Sequence, residues 1–109
     1  MKICLCGSTR FKDEYEAENK RLTLEGHVVL SVAGFGHSGD TFTDGQKELL
    51  DLIHLQKILI CDAIYVIDVD GYIGDSTRRE IRWAELNEKY VFYLHEKGKD
   101  YQAKILGQI

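Results

Sequence analysis

The sequence predicts a single α/β domain over residues 1–109: a three-layer sandwich with a central, mainly parallel sheet of four or five strands. Three observations predict it. Short apolar runs, "KICLC", "HVVLSV", "DAIYVIDV" and "YVFYL", alternate with segments whose apolar residues recur at helical spacing. The run "DAIYVIDV" is apolar almost throughout, the pattern of a strand covered on both faces. Strand, helix and strand also follow one another within about thirty residues, the length of a βαβ unit whose right-handed crossover lays a helix on the sheet.

Taken in order, Lys2 to Cys6 reads as a buried strand that stops at Gly7. From Phe11 to Glu25, the residues Phe11, Tyr15, Glu18, Leu22 and Glu25 mark one helical face, and Gly26 is the terminator. A second strand, "HVVLSV", leads into "AGFGHSGDTFTDG", whose four glycines among hydroxyls and acids read as a long mobile loop with His37 at the surface. Leu49, Leu50, Ile53, Lys57 and Ile60 then describe an amphipathic helix over Gln46 to Ile60. The third strand is followed by the polar segment "DGYIGDST", a helix from Arg79 to Glu88 with Ile81 and Ala84 turned inward, and the fourth strand "YVFYL". The remaining tail reads as a ragged strand or a short helix.

A chain of 109 residues has room for one core. Fourteen Lys+Arg against eighteen Asp+Glu give a net charge of -4, which disfavours a nucleic-acid polymer as partner and makes any anion site a local pocket. No apolar run approaches the length of a membrane span, and "MKICLCGSTR" is too short for a signal-peptide core, so the expectation is a cytoplasmic protein with no membrane partner. Cys4, Cys6 and Cys61 lie inside apolar patterns and read as small buried residues. With the histidines dispersed along the chain they suggest no ligand set, so neither a metal nor a cofactor is expected.

Parallel sheets bind ligands beyond the carboxyl ends of their strands, and here three polar loops fall at such ends. Gly7-Ser8-Thr9-Arg10 follows the first strand; it is neither a P-loop nor a GxGxxG fingerprint, and reads as an anion contact or as an ordinary helix cap. Arg10 discriminates, because capping does not require it. After the third strand, Asp68 and Asp70 sit at a strand's carboxyl end, where they read as ligand hydroxyl contacts or, for Asp70 equally, as a turn cap, and Tyr72 reads as a stacking ring or an exposed turn residue. Gly74, Ser76 and Thr77 lead into a helix bearing Glu80. Thr77 with Glu80 satisfies a capping box, which would make that carboxylate a backbone acceptor. The competing reading is a carboxylate in the first helical turn, facing a pocket and acting as a nucleophile. Arg78 and Arg79 are adjacent on a helix and cannot both face inward.

Together, "KICLCGSTRF", "HLQKILICDAIYVID" and "GYIGDSTRREIRWAELNEKYVFYL" resemble the compact branch of the nucleoside 2-deoxyribosyltransferase superfamily over most of residues 2–94. The resemblance implies a Rossmann-like or flavodoxin-like sandwich and cleavage of an N-glycosidic bond. Glu80 matches the nucleophile that attacks the anomeric carbon and displaces the base, after which water or a second base completes hydrolysis or transfer. The chain departs from the family where a second acidic group is normally supplied. His54 stands at or near that position with Asp51 three residues earlier, and either is a candidate for moving the proton. Ser8, Arg10, Ser76 and Thr77 would recognise a 5'-phosphate, which makes a nucleoside or nucleotide the expected partner, and the family's habit of completing pockets between subunits implies a homo-oligomer. The rival expectations are a non-catalytic nucleotide-binding or regulatory module of the same fold and a purely structural, partner-binding domain.

Overall fold

The computed structural model describes residues 1–36 and 39–96. Strands β1 (Lys2–Gly7), β2 (Val28–Leu30), β3 (Ala63–Ile67) and β4 (Tyr90–Tyr93) alternate with helices α1 (Lys12–Leu24), α2 (Asp44–Ile60) and α3 (Asp75–Leu86). All strand pairs are parallel, in the order β2-β1-β3-β4. This is a Rossmann/flavodoxin-like α/β sandwich with four strands among the described residues, as the alternation of apolar runs and helical spacings predicts.

Side chains alternate along the strands and divide the core in two. Ile3 and Leu5 of β1 with Tyr65 and Ile67 of β3 meet Tyr15 and Leu22 of α1. On the opposite face Cys4, Cys6, Ile64 and Val66 meet Ile58 of α2 and Ala84 of α3. The three cysteines are free thiols buried in this second layer, as their apolar settings suggest. Glu18 is buried with its charge answered: Arg21 donates to both its oxygens at 3.1 Å, and the Tyr65 hydroxyl donates to Oε1 at 2.7 Å.

The helix boundaries differ from the sequence reading in two informative places. Helix α2 begins at Asp44 rather than Gln46, because Thr43 and Gln46 form a reciprocal capping box: the Gln46 amide donates to Thr43 Oγ1 and the Thr43 amide to Gln46 Oε1. Helix α3 begins at Asp75, four residues before the expected Arg79, with Gly74 at the N-cap and no side-chain cap. The capping box expected of Thr77 and Glu80 therefore does not form. Strand β2 is only three residues long, and Gly26, at φ +98°, ends α1 as expected. His37, and the tail from residue 97 onward, lie outside the described residues; the segment just before them, Leu94–Glu96, is a 3-10 turn. No helix among the described residues is long and apolar enough to cross a membrane.

Gly7 pairs with Ile67 where β1 and β3 end. It has φ +145°, and a Cβ there would stand 2.7 Å from the Ile67 carbonyl oxygen. An L side chain is thus both conformationally strained and in collision with backbone. Gly7→Ala is expected to destabilise the fold by about 3 kcal/mol or more, read by chemical denaturation, whereas Gly45→Ala, with open space around it, should cost well under half as much.

Candidate ligand-binding site

A cavity of about 830 Å³ lies beyond the carboxyl ends of the central strands, a size suited to a small-molecule ligand. Four parts of the chain supply its walls. Gly7, Ser8 and Arg10 come from the loop after β1, and Gly34, Asp40 and Phe42 from the loop after β2. Helix α2 contributes Asp51, His54 and Lys57. Tyr72, Gly74, Ser76, Thr77 and Glu80 come from the turn and helix after β3. The loop after β2 is closed on itself by Asp40, whose carboxylate accepts from the Phe35 amide at 2.6 Å.

The N-cap of α1 is Phe11, whose side chain makes no capping bond. Ser8 Oγ accepts from the backbone N–H and the Nε of Arg10, at 3.3 and 3.1 Å. The guanidinium then reaches across the cavity mouth: Nη2 donates to the Tyr72 hydroxyl at 3.3 Å, and Cζ lies 4.4 Å from the centre of that ring. Tyr72 also packs edge-on against Phe11. On the facing wall, α3 presents its first turn without a side-chain cap, so backbone donors at Gly74, Asp75 and Ser76 are available to a ligand. Arg78 and Arg79 are both exposed, and neither lines the cavity; Arg79 Nη2 donates to Ser76 Oγ at 3.3 Å.

Glu80 sits in the second turn of α3 rather than the first. Burial pushes its carboxyl up to about 7, the Cys6 thiol donating to it pulls the other way, the Asp51 charge raises it further, and Arg79 partly offsets the rise. Asp51 is exposed on the cavity wall. His54 is buried, and its Nε2 lies 3.7 Å from Cys4 Sγ and 3.5 Å from Cys6 Sγ. Burial, assisted by Lys57 and opposed by the Leu5 carbonyl and Asp51, pushes the imidazole down to about 4, so it is neutral at physiological pH.

Among the residues singled out in the sequence, Gly7, Ser8, Arg10, Asp51, His54, Tyr72, Gly74, Ser76, Thr77 and Glu80 share this cavity. Asp68 and Asp70 are not among its lining. Asp68 is wholly buried and accepts from the His95 amide at 3.1 Å and pairs with the His95 ring, so it ties the end of β3 to the segment after β4. Asp70 is exposed, with φ +54°, in the turn that follows β3. Sequence reasoning did not place Cys6 against Glu80, nor His54 against Cys4 and Cys6. The histidines are not all dispersed, as the sequence suggested: the ligand atoms of Cys4, Cys6 and His54 all lie within 4.8 Å of one another.

No protein-family model matches the chain, and no curated protein sequence matches it.

The raised Glu80 carboxyl has a stability consequence. Near pH 4 the group is protonated in both folded and unfolded chains. As pH rises toward 7 the unfolded chain ionises first, so stability falls across that window and the loss is complete above it. Glu80→Gln is therefore expected to match the native chain near pH 4 and to exceed it by up to about 3 kcal/mol near pH 8, read by urea denaturation at both pH values.

Proposed function

We propose that the chain binds a nucleoside or nucleoside 5'-monophosphate in this cavity, as a nucleotide-binding α/β module. One observation carries the reading: the Ser8–Arg10 loop and the uncapped start of α3 open onto the same cavity at the point where the strand order reverses. A phosphate there gains backbone and hydroxyl donors from α3 and a guanidinium from Arg10, while Tyr72 and Phe42 offer ring faces to a base. No cofactor is invoked.

A second reading, cleavage of the N-glycosidic bond, is favoured by a separate observation. Glu80 faces the cavity without serving as a helix cap, and its carboxyl is held near neutrality. In this reading the ionised carboxylate attacks the anomeric carbon, the C–N bond breaks, and the base leaves with a proton. The ester formed on Glu80 is then opened by water or by an acceptor base. His54, already neutral and turned against thiols, is poorly suited to protonate the base. Asp51, at the solvent-facing wall, is the better candidate for proton transfer. We further propose that the chain self-associates through α2, where Leu49, Leu52, Ile53 and Ile60 are between 45% and 61% exposed.

The test measures binding and turnover together. Calorimetry with nucleosides and their 5'-monophosphates should give saturable binding, and Arg10→Ala should weaken the monophosphate about tenfold or more while leaving the nucleoside nearly unaffected. Chromatography of the same mixtures, with and without an acceptor base, should show free or exchanged base from the native chain and none from Glu80→Gln if the second reading holds. Binding without any base release would leave the binding module alone. Absence of saturable binding across the panel would overturn both readings.

A further inference from the structure

Beneath the cavity, on the α2 side of the sheet, two cysteines from one strand face and one histidine from α2 converge although they stand 48 and 50 residues apart in the chain. We propose that Cys4, Cys6 and His54 form a thiophilic metal site that takes zinc. This inference is independent of the nucleoside reading.

The geometry is already close to that of bound metal. A tetrahedral zinc ion with bonds of roughly 2.3 Å to sulfur and 2.0 Å to nitrogen spaces those two donors about 3.5 Å apart. The observed separations between His54 Nε2 and the two sulfurs are 3.5 and 3.7 Å. All three donor atoms fall within 4.8 Å, so small rotations of the thiols suffice to bring the sulfurs to the spacing of a tetrahedral edge. Two sulfurs and one imidazole are the donor types that favour zinc over magnesium or calcium.

Occupancy requires an entry path and a fourth ligand. His54 and Glu80 line the cavity, which gives an ion a route from solvent to donors otherwise sealed in the core. Glu80, which lines the cavity with His54, or a water molecule from the cavity takes the fourth position. Each sulfur binds the ion as its thiol proton passes to solvent, so the ion replaces two protons and no redox step is involved. An ion held there would engage or crowd Glu80, making occupancy an inhibitory state for any reaction that uses this carboxylate.

The full chain, stripped with a chelator and kept reduced with a phosphine, is titrated with cobalt(II) and then with zinc. The expected result is one ion per chain, thiolate-to-cobalt charge-transfer absorption with tetrahedral visible bands, loss of that spectrum on adding zinc, and a higher melting temperature with zinc. Cys4→Ser and Cys6→Ser should each abolish the charge-transfer absorption or weaken zinc binding by more than the roughly tenfold that outer contacts command. Cys61→Ser should bind as the native chain does. Circular dichroism shows whether each variant folds; should the strand variants not fold, the cobalt spectrum and stoichiometry of the native chain decide. A cobalt spectrum without thiolate character, or metal binding unchanged in folded Cys4→Ser and Cys6→Ser, would overturn the proposal and leave the three side chains as a hydrogen-bonded cluster.

Discussion

The pairing of β1 with β3 at the centre of the sheet is the constraint on which the rest of the molecule depends. To place β2 outside β1 and β4 outside β3, the crossover through α1 must cover one face, while α2 and α3 cover the other. The connections then leave the strand ends in opposite directions, and a crevice opens between them. Gly7 lines that crevice, and its pairing with Ile67 leaves no space for a side chain beside the Ile67 carbonyl. The same strand sends Ile3 and Leu5 toward α1 and Cys4 and Cys6 toward α2. One strand therefore contributes to the cavity lining, to both core layers and to the thiols beneath the site.

Two glutamates removed from water show how differently the fold treats charge. Glu18 is surrounded by groups that favour its ionised form: Arg21 grips both oxygens and the Tyr65 hydroxyl donates a third bond. Its role is complete within the structure, since it fastens α1 to β3. Glu80 is pushed up by burial and by the charge of Asp51, and the Cys6 thiol and the charge of Arg79 offset this only in part. Removing a carboxylate from water with so little compensation costs stability, and such costs are concentrated where a group serves a ligand rather than the fold. The contrast sets Glu80 apart from Glu18 as a carboxylate whose removal from water is only partly offset within the fold.

The sheet and the cavity were legible in the sequence because both rest on local patterns. Continuous apolar runs marked the strands, helical spacing marked α1 and α2, and the strand-end loops could be assigned to one edge from the parallel topology alone. What failed was local chemistry with two equally good solutions. Thr77 and Glu80 have capping-box spacing, but so do Thr43 and Gln46, and tertiary packing started α3 at Asp75, which put Thr77 inside the helix and buried it. The cluster of Cys4, Cys6 and His54 was illegible for another reason: no spacing rule relates residues 48 and 50 positions apart, and only the α2 crossover brings them together. Asp68 was misleading in the same way, because its partner, His95, lies beyond the next helix and strand.

The distribution of charge around the cavity narrows the kind of ligand it suits. Arg10, Lys57 and the amides at the start of α3 favour an anion, whereas Asp51, and Glu80 once ionised, would repel one. A compact inorganic anion gains little from such a mixed lining. A ligand that carries its charge on one part and neutral hydroxyls or a ring on another can satisfy both, placing its anionic end against the donors and a neutral carbon centre toward the carboxylates. Because the Glu80 carboxyl is held near neutrality, it can accept that neighbour without a fixed negative charge in the empty site, and can develop the charge where a nucleophile would need it. Mixed polarity, a carboxylate whose charge is only partly offset and a backbone donor surface at one strand edge are the features that the proposed nucleoside 5'-monophosphate would use together.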